Sequence, residues 1–541
     1  MNFSPEQIFE EYKKGVAFKS SIGAKGLYEQ SRVNERFFVG DQWYGSKCGN
    51  DRPLVRHNII KRIGDYKMSA ILSNKIEINY SADGVPNTLN MRKSVKQKRK
   101  ELSENPVSFT GKRDDNEISL MMSALNDYQK VTAERVGFNG IAEQALRDAY
   151  ISGTAVVYTY WNPLVSTGLY ADDYHTTAIK GDIECETLSI ENVYFGDPYI
   201  SDIQQQPFII IATRSDVASV KREATYYGKT AELDFIKPDN NADDDGKVTV
   251  LTRLWKEWDE GGNFSIFAQK VTADAVIRDK WNIGVRLYPL AKFCWERRKN
   301  CAYGDSEITY LIPNQIAINR MITSGVWSTM STGMPSMVVN GDVVDGEITN
   351  DPGQIIKVFG SGEDVANAVR YVTPPDNSAN FYGVIEPLIN NTLAQNGAGA
   401  AALGDVDPNN TSAIIELKNA ARMPLQLFEN RYFAFLEEIS RIWAEFWITQ
   451  YGNRRIKIID ENGIWYLNFD GDRYKDLLIS VKAQVSTKNT SGEARVYDIL
   501  DKLLDKGAIT PKQYLKWLPA GTLESVTKLI GEMEENENDR T

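Results

Sequence analysis

The chain has 541 residues, 42% of them hydrophobic and 11% aromatic, and a formal net charge of −11. That apolar content excludes a chain disordered throughout, and the length exceeds one typical core, so roughly three or four domains are expected. The acidic balance disfavours a phosphate-gripping nucleic-acid binder, because neutralising phosphates takes Lys and Arg.

In chain order, residues 4–36 read as helix, with Ile8, Tyr12 and Val16 on one face. Phe37-Phe38-Val39-Gly40-Asp41-Gln42-Trp43 breaks into a turn. A second amphipathic helix runs over 58–72, with Ile59, Ile63 and Ile71 marking part of one face, and 75–80 alternate like a strand. Residues 83–113 are polar and basic, with Arg92-Lys93-Ser94-Val95-Lys96-Gln97-Lys98-Arg99-Lys100 at their centre. They read as a solvated insertion or as a contact to nucleic acid or an acidic partner; the absence of interleaved aromatics favours the insertion. A helix over 117–150, interrupted at Gly137 and Gly140, precedes a strand at 154–161. More strands follow near 182–188, 193–195 and 207–213, a short helix at 216–226, and antiparallel strands over 248–297. Helices and strands in separate runs make this half α+β. Asn241-Ala242-Asp243-Asp244-Asp245-Gly246 imitates a calcium loop but has Thr252 where a bidentate Glu belongs, so it reads as a solvated turn.

The most informative stretch begins at Tyr303. An apolar-periodic helix covers 307–331 and carries Ile308, Leu311, Ile312, Gln315, Ile318, Ile322 and Val326 on one face; Pro313 kinks it or marks a later start. A strand follows at Met337-Val338-Val339, and a second strand pair is expected near 354–359 and 369–373. This β-rich piece has too few large apolar residues to fold alone. A second helix covers 378–396, and a Gly- and Ala-rich loop, 397–410, leads into a helical pattern over 411–451. Pro424 should kink that pattern, and Phe428, Phe435, Trp443 and Phe446 read as core. Beyond it come a hairpin turning at Asn462-Gly463, a strand near 477–484, helices starting near Ser491 and Thr510, and an acidic tail. Between 304 and 412 stand twelve acids against three bases, a balance of −9.

Little chemistry is visible. Cys48, Cys185, Cys294 and Cys301, with only His57 and His175 to help, form no zinc spacing and suit a reducing cytoplasm. There is no Gly-x-x-x-x-Gly-Lys-Ser/Thr loop, no His-Glu-x-x-His and no Gly-x-Ser-x-Gly. An enzyme is therefore not expected, nor a metal or cofactor. The start of the chain lacks a signal-peptide layout, and no apolar run approaches the roughly 18–20 residues that span a bilayer, so no membrane anchoring is expected.

The order of parts resembles the portal proteins of tailed double-stranded DNA bacteriophages. Four segments carry the likeness: 37–43; 141–155, reading Ile-Ala-Glu-Gln-Ala-Leu-Arg-Asp-Ala-Tyr-Ile-Ser-Gly-Thr-Ala; Tyr303-Gly304-Asp305-Ser306-Glu307-Ile308; and Thr411-Ser412-Ala413-Ile414-Ile415-Glu416-Leu417. The resemblance implies a wing over 1–303, stem helices over 304–332 and 378–396, and a clip over 333–377. It further implies a tunnel loop over 397–410, a long kinked helix with wing strands over 411–485, and a small helical crown with an acidic tail over 486–541. The tunnel loop would use Gly397, Ala398, Gly399, Gly404, Asp405, Asp407, Asn409 and Asn410. Candidate channel-lining acids are Asp305, Glu307, Asp342, Asp345, Glu347 and Asp351; candidate clip contacts are Met337, Val339, Ile356, Val358 and Tyr371.

By the same resemblance, twelve copies form a ring at one capsid vertex of the virion, assembled in the host cytoplasm. It conducts double-stranded DNA during packaging and ejection without sequence-specific binding. Its partners would be the terminase large subunit, head–tail adaptor and tail proteins, the major capsid protein and scaffold. Acidic walls fit a conduit, since they repel phosphates and leave the duplex mobile. Another ring-forming virion adaptor or a metal-dependent carboxylate enzyme are the alternatives.

Overall fold

The structure is a computed structural model that describes residues 3–44, 54–73, 76–82, 115–170, 178–239, 246–258, 264–333, 336–346, 355, 357–372, 378–399, 423–451, 453–460, 463–470, 479–485, 500–507, 509–510 and 514. It is mixed helix and sheet, in line with the α+β expectation. The basic 92–100 stretch, the 241–245 part of the Asp-rich turn, the 411–417 segment and most of the stretch beyond 485 lie outside the described residues.

Two helices open the fold, α1 (Pro5–Ser21) and α2 (Leu27–Val39), where the sequence suggests one. Ser4 and Gln7 form a reciprocal capping box at the start of α1. The break falls at Gly23 and Gly26, both at positive φ; a Cβ at Gly26 would stand 2.6 Å from the Ser20 carbonyl oxygen. α3 (Ile59–Leu72) starts at the Asn58 side chain, which accepts from Lys61 N. β1 (Ile76–Ala82) follows, then α4 (Asp115–Arg135) and α5 (Phe138–Ser152). Only Gly137, at φ 64, divides these two helices; Gly140 lies inside α5, contrary to expectation.

Strands β2 (Thr154–Tyr170), β3 (Ala178–Ser189) and β9 (Leu290–Cys294) make an antiparallel sheet in the order β3-β2-β9. A second antiparallel sheet runs β4-β5-β6-β7-β8, from β4 (Val193–Phe195), β5 (Phe208–Asp216), β6 (Lys247–Trp258), β7 (Phe264–Val271) and β8 (Val276–Asn282). α6 (Val217–Tyr226), capped by Asp216, packs on it.

α7 (Glu307–Gly333) runs unbroken through Pro313. After it come β10 (Ser336–Val339), β11 (Val344–Asp345), β12 (Lys357–Val358), α8 (Gly362–Asn367) and β13 (Val369–Val372), then α9 (Ser378–Gln395). The strands near 354–359 and 369–373 do not pair with each other as expected: β10 pairs β13 and β11 pairs β12. Each late strand reaches back to an earlier one across the small unit.

α10 (Gln426–Gln450) begins after a 3₁₀ turn, Met423–Leu425, which holds Pro424. The proline thus sits where no internal helix bond is required of it. α10 is buried on most of its circumference, and Phe428, Phe435, Trp443 and Phe446 all join the main core, as the stripe suggests. The hairpin β14 (Asn453–Asp460) and β15 (Gly463–Asp470) follows, and β16 (Ile479–Val485) returns to pair antiparallel with β1. One continuous core joins α2, α3, α5, the β2 sheet and α10.

Candidate functional site

Two of the four segments behind the family resemblance, 141–155 and 303–308, meet at the start of α7, and a third joins α7 further along. Gly153 and Gly304 approach backbone to backbone: a Cβ at Gly153 would stand 2.5 Å from the Gly304 oxygen, and one at Gly304 would stand 2.6 Å from the Gly153 oxygen. Thr154 Oγ1 accepts from Gly304 N at 2.8 Å, and Ser306 Oγ donates to the Tyr150 carbonyl at 2.5 Å. Gly153 also has φ 83, so both the contact and the backbone require glycine there. The 37–43 turn joins through Gln42, whose Oε1 accepts from Asn319 Nδ2 at 2.6 Å.

Below this junction lies a buried ion pair. Lys67 Nζ of α3 donates to Glu307 Oε1 at 2.5 Å, and Trp295 Nε1 donates to Glu307 Oε2 at 2.9 Å. The side chains of Lys67 and Glu307 are 6% and 9% exposed. The Trp295 ring lies edge to face with Tyr150 at 5.0 Å and tilted against Phe428 at 5.2 Å, so the pair sits among aromatic rings. Glu307 also stands in the first turn of α7, where the helix dipole favours an anion.

Two turns further along, Gln315 Oε1 accepts from Ile59 N and Ile60 N at 2.9 and 3.3 Å. These are amides of the first turn of α3, which have no partner within their own helix. Gln315 Nε2 donates to the His57 carbonyl at 2.7 Å and to Asn319 Oδ1 at 2.9 Å, and His57 N donates to the same Asn319 oxygen at 3.0 Å. Asn34 Nδ2 of α2 bonds Thr309 Oγ1 at 3.1 Å. The first half of α7 is therefore fixed into the body by polar contacts that leave it little freedom to slide.

The sequence-predicted acids divide accordingly. Glu307 is not a wall residue: it is the internal counter-charge of Lys67, and its place as a channel-lining acid is withdrawn. Asp305 lies in a two-point contact with Arg298, at 2.5 and 3.1 Å, and its side chain is a quarter exposed. That carboxylate, bonded to the guanidinium, raises the Arg298 pKa. Asp342 and Asp345 are exposed on the small β unit, while Glu347 and Asp351 lie outside the described residues. Gly397 and Ala398 follow α9 in the turn that closes it: Gly397 has φ 72 and its N donates to Ala394 O, and Ala398 N donates to Leu393 O at 2.9 Å. Gly399 follows, half-buried; Gly404, Asp405, Asp407, Asn409 and Asn410 lie outside the described residues.

The small β unit has almost no interior. Among its described residues, only Ala368 is buried. Met337 and Tyr371 face each other across β10 and β13, and both are exposed; Val344 and Val358 pair across β11 and β12, half-buried. Val339 is half-buried and Ile356 lies outside the described residues. Val338, Phe359, Tyr371 and Val372 are each exposed by 48–64%.

Comparison with protein-family models and with curated proteins finds no match to this chain. Among the described residues no group of three or more His, Cys, Asp and Glu side chains is placed to hold a metal ion, and no helix is long and apolar enough to cross a membrane. Burial pushes the Cys185 thiol up to about 11, against donation from Trp443 Nε1 at 3.1 Å, so it is no thiolate nucleophile.

Sequence reasoning missed the fixing residues, although two had a signal. Lys67 falls in register with Ile59, Ile63 and Ile71, a lysine within an isoleucine stripe. Gln315 sits on the apolar face of α7. Lys19 gave less sign: it is fully buried, with Nζ on the Ile190 and Glu191 carbonyls at 2.6 and 2.9 Å and over the Tyr194 ring at 3.6 Å. Burial lowers its pKa well below the usual lysine value.

Proposed function

We propose that the chain is the portal subunit of a tailed double-stranded DNA bacteriophage. Twelve copies form the ring at the capsid vertex, conduct the genome in packaging and ejection, and dock the terminase large subunit and later the adaptor and tail proteins. One observation carries the reading: a helix pair, α7 and α9, is fixed into the body at one end by buried polar contacts and carries at the other a β unit without a core. A unit that exposes Val338, Phe359, Tyr371 and Val372 to water is stabilised when neighbours cover it. Head-to-tail contacts around an axis cover every copy alike. The described acids free to repel DNA are then Asp342, Asp345 and Glu363 on that unit, all exposed, rather than Glu307 at the start of α7. Negative-stain images of the purified full chain test the reading. Rings with a central hole are expected, and particles of protomer size only, at micromolar concentration, refute it.

A further inference from the structure

Across the 27 residues of α7 and the 18 of α9 stand only three charged side chains, Glu307, Arg320 and Glu386. Glu307 is taken by Lys67. Arg320 and Glu386 are both exposed, and neither makes an ion pair or a side-chain hydrogen bond among the described residues.

These two sit at one level. Asn314 Nδ2 of α7 donates to Thr392 Oγ1 of α9 at 3.4 Å. Higher up, the space beside Gly325 is filled by Phe381 and Tyr382, 3.5 and 3.6 Å from where a Cβ would stand. The helices are antiparallel, so six residues up from Asn314 and six back from Thr392 lead to Arg320 and Glu386. Both lie about 9 Å above the Asn314–Thr392 contact, at about 1.5 Å per residue. Their faces differ from the packed face, which holds Gly325, Ile385, Thr392 and Leu393. Arg320 shares an outer stripe of α7 with Trp327, which is 37% exposed; Glu386 stands one turn from Tyr382, whose ring borders the packed face beside Gly325 and is 49% exposed.

Resting on the ring reading above, we propose that Arg320 of each copy pairs with Glu386 of the next, one ion pair per interface, and that this pair sets the height at which adjacent helix pairs lock. Rotation about an axis along the helix pair moves a residue around the ring without changing its height. A cation and an anion at one level on different faces therefore meet between neighbours. The remaining outer surface is uncharged, rich in Ser, Thr and Asn with scattered apolar groups. Two such surfaces can settle one helical turn, about 5.4 Å, out of step. A lone opposite-charge pair penalises that slip, and fixing register is the best-attested use of isolated interfacial charges. Trp327 and Tyr382, both on the far side of the charges from the body, add contact at the same interface.

The test uses the full chain as Arg320→Glu, Glu386→Arg, and the two combined, with mass photometry of ring formation against protein and salt concentration. Each single variant places like charges at every interface and is expected to raise the half-assembly concentration at least about tenfold. The combined variant is expected to return to within about threefold of wild type. An equimolar mixture of the two single variants is expected to assemble, because alternating copies again present opposite charges. Single variants that assemble like wild type, or a combined variant no better than the singles, overturn the pairing while leaving the ring reading intact. A wild-type chain that forms no rings overturns both. Thermal melting of each protomer, expected to be unchanged for these exposed positions, separates lost assembly from lost folding.

Discussion

The ion pair at the start of α7 makes a sharp prediction. In Glu307→Gln the amide oxygen still accepts from Trp295 Nε1, so that hydrogen bond survives. What is lost is the negative charge 2.5 Å from Lys67 Nζ, in a place where both side chains are under 10% exposed. Leaving one charge of a buried pair without its partner costs about 3–5 kcal/mol. Removing both charges together, as Lys67→Met with Glu307→Gln, replaces the ammonium by an apolar chain near the Phe428 ring, and most of the loss is expected to return. Urea unfolding followed by tryptophan fluorescence reads the global effect. Hydrogen exchange of peptides covering 59–72 and 307–333 reads the local one. A loss of about 3 kcal/mol speeds exchange through the shared opening roughly a hundredfold. Unchanged exchange and midpoint in Glu307→Gln, or a double variant as unstable as the single, refutes the view that this pair anchors α7.

Other outcomes follow from the same geometry. Gln315→Leu leaves the Ile60 amide without its acceptor, while Ile59 N keeps the His57 carbonyl at 2.9 Å, so a loss of about 1–3 kcal/mol, concentrated in exchange of 59–63, is expected. Gly153→Ala forces a methyl to 2.5 Å from the Gly304 oxygen at a φ of 83°, and a melting study should show destabilisation of more than about 2 kcal/mol. Glu438, half-buried beside Gln204, has its carboxyl pushed up from 4.5 to about 7, mainly by desolvation. The folded state then holds the proton more tightly than the unfolded one, so this contribution is complete below about pH 4.5 and is lost as pH rises towards 7. Glu438→Gln should match wild type near pH 4.5 and exceed it by about 1–3 kcal/mol at pH 8, the lower end reflecting residual solvent screening; equal pH profiles in chemical denaturation contradict this. On the ring reading, Asp405→Lys with Asp407→Lys should add salt-sensitive DNA retention without preventing assembly, as a filter-binding series across salt would show.

Local signals were legible wherever one side chain decides a local bond. Asn58 and Asp216 announce the helices they cap, and the Asn462-Gly463 dipeptide announces the hairpin of β14 and β15. Pairings between distant segments were not. Nothing local in β10 to β13 says which strand takes which partner, and the expected neighbours each chose an earlier strand instead. Glu307 misled for a related reason. A carboxylate in a sequence looks free until the fold supplies Lys67 from 240 residues upstream. The clue lay in the partner, a lysine among isoleucines, rather than in Glu307 itself. The common level of Arg320 and Glu386 was illegible without the antiparallel register of α7 and α9.

The pairing of β1 with β16 has a consequence in time. Residues 76–82 find their partner only at 479–485, roughly 400 residues later. At a synthesis rate of about 5–20 residues per second, β1 waits about 20–80 s with an open edge and an uncovered Tyr80. α10 arrives within the same interval, and it brings Phe428 over Trp295 and Arg431 to the Trp295 carbonyl. The seat of α7 is therefore finished only when α10 has been made, although α7 itself is made long before. An incomplete nascent chain carries the helix pair without a rigid base, so on the ring reading the order of synthesis works as a clock that withholds a fixed helix pair from neighbouring copies until α10 has been made.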